Sequence, residues 1–167
     1  MTAMTPEDLV EIEAIKRLKY RYMRCIDQKL WDELATCFTE DAAVAYSGGH
    51  YRVEGRDAII EWLRNAMASE NFLSSHRVHH PEIDLTSETT AAGTWALEDT
   101  VILVDSDFGL RGAAFYTDEY VKDGGDWKIA ATGYKRTFEE TFRRGDVPSL
   151  RLTASWWGTD GRSELEA

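Results

Sequence analysis

Apolar positions in the first part of the chain recur at steps of three and four. Leu9, Ile12, Ile15, Leu18, Tyr22 and Ile26 form one face, and this spacing predicts a helix over "TPEDLVEIEAIKRLKYRYMRCIDQ", residues 5–28. Thr5 suits the N-cap, Pro6 the first helical position, and Glu7 and Asp8 the positive end of the helix dipole. A shorter helix over "LWDELATCF" follows. "AAVAYSGGHYRVEG" then reads as two short strands around Gly48-Gly49, a hairpin signal. "RDAIIEWLRNAMA" returns to the helical period, with Ile59, Ile60, Leu63 and Met67 on its apolar side. From there the period falls to two. Residues 75–87, 90–104, 109–122 and 126–138 read as four long strands, separated by Ser/Thr, "DSDFG" and "DGGD" turns. After Arg136 the chain becomes charged and ends in "SWWGTDGRSELEA". In that tail Trp156 and Trp157 either cover an apolar surface or stay loose.

Helices followed by strands indicate an α+β fold. A curved antiparallel sheet wrapped around the N-terminal helices makes a cone, and its open mouth is a natural small-molecule site. The 167 residues suit one domain, over 1–145, with a C-terminal tail over 146–167. Hydrophobic residues make up 43% of the chain, with six Trp, seven Tyr and six Phe, which suffices for a core. The net charge of −11 argues against nucleic acid and anionic membranes as partners, since both reward clustered Lys and Arg. The start, "MTAMTPEDLVEIE", has no apolar stretch of the secretory kind, and no run approaches the length of a membrane span. A cytoplasmic location is therefore expected. Cys25 and Cys37 form no CxxC pair and read as reduced, partly buried thiols.

Candidate chemistry lies where polar groups interrupt the pattern. Alternation in "WALEDTVILV" puts Asp99 in a row with Trp95, Leu97, Val101 and Leu103, and Glu98 on the other face. A carboxylate in that row is costly unless paired or protonated; the alternative is a bulge that turns it outward. Tyr22 is on the core face of the first helix, as packing or as a functional phenol. Asp27 is about 140° further round an ideal helix, so it reads as a turn or cap residue unless the helix unwinds near "DQKLW". Arg136, at the end of the last predicted strand, suits a substrate anion, an active-site carboxylate, or solvent. Three of the four histidines fall in "SSHRVHHPEIDL". In a regular strand His76 and His80 face one way and His79 the other, and Pro81 disturbs the ladder. The spacing matches no zinc pattern, so no metal is expected. The economical arrangement is a single inward histidine paired with Asp99, which would fix its tautomer and raise its basicity.

"IEAIKRLKYRYMRCIDQKLWDELATCF" followed by "GRDAIIEWL" resembles the SnoaL-like branch of the NTF2-like superfamily, which also holds scytalone dehydratase and ketosteroid isomerase. "SHRVHHPEIDLTSETTAAGTWALED", "RGAAFYTDEY" and "GDWKIAATGYKRTFEETF" further resemble the bile acid 7α-dehydratases of gut anaerobes, over about Glu11 to Arg144. The resemblance implies the NTF2-like cone and catalytic roles for Tyr22, Asp27, His76, Asp99 and Arg136. His79, Tyr116 and Tyr134 are the candidate substrate-binding residues. The implied reaction is cofactor-independent loss of water from a hydroxysteroid with a 3-oxo-Δ4 system. His76, oriented by Asp99, would take the C6 proton and return it to the leaving hydroxyl. Tyr22 would donate to the enone oxygen, and Asp27 and Arg136 would pair or position; the parts of His76 and Tyr22 are exchangeable on this reading. Residues 40–56, the "VDSDFGLRG" loop and the tail depart from the family pattern and leave the substrate open. Two other readings stand beside it. One is an enone isomerase, or a dehydratase of another polycyclic or polyketide substrate. The other is a non-catalytic ligand-binding module or the small subunit of a ring-hydroxylating oxygenase. A homo-oligomer, dimer or trimer, is expected from the resemblance.

Overall fold

Helix α1 (Pro6–Asp27) starts at Thr5, as the capping pattern predicts. The Asp8 N–H donates to Thr5 Oγ1 at 3.1 Å, and the Thr5 N–H donates to Asp8 Oδ2 at 2.8 Å. The computed structural model describes residues 4–165 of the chain. Helix α2 is a short turn, Trp31–Ala35, and α3 covers Arg56–Met67. The strands are β1 (Phe38–Tyr46), β2 (Tyr51–Glu54), β3 (Phe72–Leu85), β4 (Thr90–Leu103), β5 (Phe108–Asp123) and β6 (Asp126–Arg143).

These six strands form one curved, open sheet in the order β2-β1-β6-β5-β4-β3. It is mixed rather than wholly antiparallel, because β1 runs parallel to β6. The β1–β2 hairpin feeds α3, which carries the chain to the far edge at β3. The meander from β3 back to β6 then ends beside β1 in the same direction. Strand β6 also runs past the predicted end at 138. Its charged last turn has little burial of its own, but Phe108–Ala113 of β5 pair with it up to Arg143. Register breaks at His79/Glu82, Ala113/Ala114 and Glu119/Tyr120 bend the sheet around α1, the usual effect of extra residues in a ladder.

The core lies between α1 and the concave face. Ile15, Leu18, Tyr22 and Ile26 of α1 are buried together with Phe38, Trp95, Leu97, Tyr116, Tyr120 and Ile129 of the sheet, and Ile59, Ile60 and Leu63 close it from α3. Cys25 and Cys37 are free and buried, and burial pushes their thiols up to about 11 and about 12. Of the two tail tryptophans, Trp157 packs its ring 3.7 Å from the Lys29 ammonium, while Trp156 is exposed. Among the described residues no helix is long and apolar enough to cross a membrane.

Candidate active site

Helix α1 stays regular to its last residue, Asp27, so that side chain leaves the helix away from Tyr22 and reaches β3. There it accepts from Ser74 Oγ at 2.8 Å, from the His76 backbone N–H at 2.8 Å and from His76 Nδ1 at 2.6 Å. Both side chains are largely sheltered, His76 at 13% exposure and Asp27 at 22%. Burial alone would push the Asp27 carboxyl up. The donors, His76 foremost, outweigh it and hold Asp27 below the usual carboxylate range. An ionised carboxylate only accepts, so Nδ1 carries a proton, and in the neutral imidazole the lone pair is on Nε2.

The expected His76–Asp99 pair is therefore corrected. The two residues stand directly opposite in the β3–β4 register and share the inner face, and Asp99 is buried there rather than turned outward by a bulge. Its carboxylate is taken by Arg136, with Nη1 donating to Oδ1 at 2.5 Å and Nη2 to Oδ2 at 2.9 Å. A guanidinium wins a buried carboxylate from an imidazole because it is always charged and matches both oxygens at once. Asp27, which spacing assigned to a turn or cap, is the partner His76 finds.

Arg136 turns inward through the β5–β6 irregularity. Ala114 pairs with Arg136 and Ala113 with Phe138, so Thr137 is skipped. The guanidinium passes over Gly112, where a Cβ would lie 2.9 Å from Nη1 and 2.9 Å from the Phe138 carbonyl oxygen. Burial would lower the Arg136 pKa, but Asp99 more than compensates and keeps it charged. Its Nε lies 3.1 Å from Glu139 Oε2 without an aligned hydrogen bond.

From Arg136 a run of aromatic rings leads back to α1. The guanidinium lies 5.0 Å over the Tyr134 ring, Tyr134 stacks on Tyr46 at 5.6 Å, and the Tyr46 and Tyr22 hydroxyls are 2.7 Å apart. Tyr116 meets Tyr134 edge-on at 5.4 Å and Tyr22 at 6.5 Å. Burial is the first cause that pushes the Tyr22, Tyr46 and Tyr116 phenols above their ordinary value, so they remain protonated donors.

The structure thus links seven of the eight sequence candidates: Asp27 to His76, His76 beside Asp99, Asp99 to Arg136, and Arg136 through Tyr134 and Tyr116 to Tyr22. His79 is not among them. It faces outward opposite Ala96, with Nε2 4.0 Å from Glu98 on the outer face. His80 has a left-handed backbone (φ 48°) at the register break, and its ring lies 5.9 Å from that of His79, while His76 stands apart on the inner face. A separate cleft of about 530 Å³ is floored by Ala43, Ala45, Ala131 and Gly133 and reaches this group only at Tyr134.

Two features escaped the sequence reading. Tyr46 continues the inward row Ala42–Val44–Tyr46 of β1, and alternation there would have found it. A fully buried ion pair, Lys19–Asp118, sits behind the phenols at 2.7 Å. The signal that marks Asp99, a charge at an apolar position, marks these two as well: Lys19 is in the row Ile15–Lys19–Tyr22–Ile26, and Asp118 in Ala114–Tyr116–Asp118–Tyr120.

Known proteins bear on this geometry. The family model of the SnoaL-like domain matches residues 7–132. Among solved structures, a candidate scytalone dehydratase from Novosphingobium aromaticivorans is 27% identical, with a TM-score of 0.75 over 96% of this chain and 100% of that one. A hexachlorocyclohexane dehydrochlorinase from Novosphingobium barchaimii superposes with a TM-score of 0.73 at 18% identity, over 86% of this chain and 94% of its own. A Catenulispora acidiphila protein in complex with S-DNPA does so with 0.66 at 18%, over 77% and 94%. The last two share the fold.

Proposed function

Since the chain belongs to the SnoaL-like domain family, with the NTF2-like α+β cone, we propose that it is a cofactor-independent hydro-lyase acting on a hydroxylated polycyclic ketone. The carrying observation is the His76–Asp27 dyad, which leaves Nε2 of an inward imidazole free on the face that also holds a phenol pair. A proton made acidic by a conjugated carbonyl goes to His76 Nε2. The charge that builds on the carbonyl oxygen is met by the Tyr22–Tyr46 hydroxyls, a pair that stays protonated and needs little reorganisation. The imidazolium, stabilised by Asp27, then returns its proton to the leaving hydroxyl, so water departs as the double bond forms. Asp99 holds Arg136 in place over the Tyr134 ring. The 27% identical candidate scytalone dehydratase supports water elimination over other uses of the cone. The acid-base and oxyanion contributions together are worth roughly 10⁴- to 10⁷-fold.

The first substrates to test are 3-oxo-Δ4 steroids with 7α-, 7β- or 12-hydroxyls, followed by hydroxylated polyketide-like aromatics. A new conjugated dienone absorbance marks elimination, and a shifted enone without loss of water marks isomerisation. Turnover that survives His76→Ala would overturn the assignment of the base.

A further inference from the structure

Behind the phenol pair lies a charged cluster with no place in the proton transfers above. The Lys19 ammonium and the Asp118 carboxylate are both fully buried, with Nζ 2.7 Å from Oδ2. Asp118 also accepts from the Tyr120 hydroxyl at 2.6 Å and from Thr132 Oγ1 at 2.5 Å, and Tyr120 in turn accepts from Trp95 Nε1 at 2.9 Å. Lys19 Nζ has one further oxygen partner, Thr132 Oγ1 at 3.4 Å. Its remaining direction faces aromatic rings, with the ammonium 3.6 Å from the Tyr116 centroid and 4.9 Å from that of Tyr22.

A cluster of this kind needs a reason other than stability. Replacing a buried ion pair with apolar side chains of similar volume is often neutral or stabilising. Lys19 is also the group of the pair that touches the rings. Asp118 acts in the opposite sense on the Tyr22, Tyr46 and Tyr116 phenols, but its oxygens are occupied by three donors. A phenol that donates strongly to an oxyanion gains negative charge in its ring. A dehydrated cation against the ring face stabilises that charge where no water screens it.

We infer that Lys19 is a positioning residue for the Tyr22–Tyr46 donor pair: its ammonium, locked by Asp118 and lying against the Tyr22 ring and the adjoining Tyr116 ring, strengthens the hydrogen bond from that pair to an oxyanion in the site. This deepens the reading of the site as an oxyanion-stabilising hydro-lyase and rests on it. Gly93 serves the same cluster, since a Cβ there would lie 3.0 Å from the Tyr120 ring that carries the hydroxyl to Asp118.

Binding of 4-nitrophenolate, a planar oxyanion whose visible absorbance shifts when its oxygen accepts strong hydrogen bonds, tests this without turnover. The variant is Lys19→Met/Asp118→Asn, which removes both charges, preserves volume and leaves an amide oxygen to accept from one of the Tyr120 and Thr132 hydroxyls and an amide N–H to donate to the other. With thermal unfolding unchanged, it should bind 4-nitrophenolate about five- to thirty-fold more weakly than wild type, the range of one desolvated cation–π contact, with a smaller absorbance shift. Equal affinity and equal shift would overturn the role of Lys19 and leave the site reading intact. No binding by wild type would remove the oxyanion site itself and the Lys19 inference with it, and wild-type binding unaffected by Tyr22→Phe would do the same. Should the double variant not fold, ¹⁵N–¹H correlation of the wild-type lysine ammonium groups decides. The shielded Lys19 resonance moves on saturation with 4-nitrophenolate if the ammonium senses the oxyanion, and a stationary resonance refutes it.

Discussion

Asp27→Asn replaces one oxygen by an amino group and leaves the shape of the His76 support almost unchanged. The carboxylate accepts three hydrogen bonds, two of them from His76, and its charge obliges Nδ1 to be the donor. An asparagine can satisfy the backbone N–H with its oxygen and offer its amide N–H to Nδ1. That reverses the imidazole tautomer and places the proton on Nε2, where the base must be free. The expected result is a fall in kcat/KM of about 10²- to 10⁴-fold, the range of a lost general base, equivalent to roughly 2.7–5.5 kcal/mol at 1.36 kcal/mol per decade. Stability should change much less, since two of the three hydrogen bonds retain a partner. Asp27→Ala, by contrast, strands all three donors in a sheltered site and should cost about 2–4 kcal/mol. The assay pairs steady-state kinetics on the first substrate the steroid panel yields with ¹⁵N chemical shifts of His76, which report which ring nitrogen is protonated. An Asp27→Asn protein within three-fold of wild-type kcat/KM, or one whose Nδ1 remains protonated, would refute the dyad.

Further outcomes concern the rest of the site. Tyr22→Phe and Tyr46→Phe should each lower kcat by about 10- to 10³-fold with little change in KM if each hydroxyl meets developing charge; a rise in KM alone would make them binding groups. Arg136→Met leaves the buried Asp99 carboxylate unpaired and should cost about 3–5 kcal/mol in chemical unfolding, with much of the loss recovered in Arg136→Met/Asp99→Leu; no recovery would mean the pair is not the source. The folded-state pKa of Asp27 lies below its unfolded value, so its contribution to stability is complete above about pH 4 and is lost as pH falls through the lowered pKa. Urea unfolding from pH 6 to 3 should show a shallower acid limb for Asp27→Asn than for wild type. The buried phenols act with the opposite sign. Their folded pKa values are raised, so stability should fall once pH exceeds about 10, and a Tyr22→Phe/Tyr46→Phe/Tyr116→Phe protein should lose less over pH 9–11 in the same assay.

Much of the architecture follows from periodicity. The Thr5 cap, the apolar face of α1, the Gly48-Gly49 turn and the change from helical to alternating period each depend on residues close in sequence, and local sterics and hydrogen bonding act at that range. The same local logic marks Asp99, because a charge in an apolar row must be explained wherever the strand lies. It would have marked Lys19 and Asp118 equally. Which charge meets which is a different matter. Asp27 and His76 are 49 residues apart, and Asp99 and Arg136 are 37 apart. Asp99 stands opposite His76 in the ladder and is the natural partner by register alone. The bulge at Thr137 and the missing side chain at Gly112 bring a guanidinium to Asp99 first, and His76 is left to the carboxylate at the end of α1. The parallel pairing of β1 with β6 is of the same kind. It depends on where α3 delivers the chain, and it places Val44 beside Thr132 and brings Tyr46 toward Tyr134 and Tyr22. The sequence alone determined the helices, the strands and the presence of uncompensated charges. Only the tertiary structure decided their pairing, because competition between buried partners is settled by geometry and desolvation at sites brought together from distant parts of the chain.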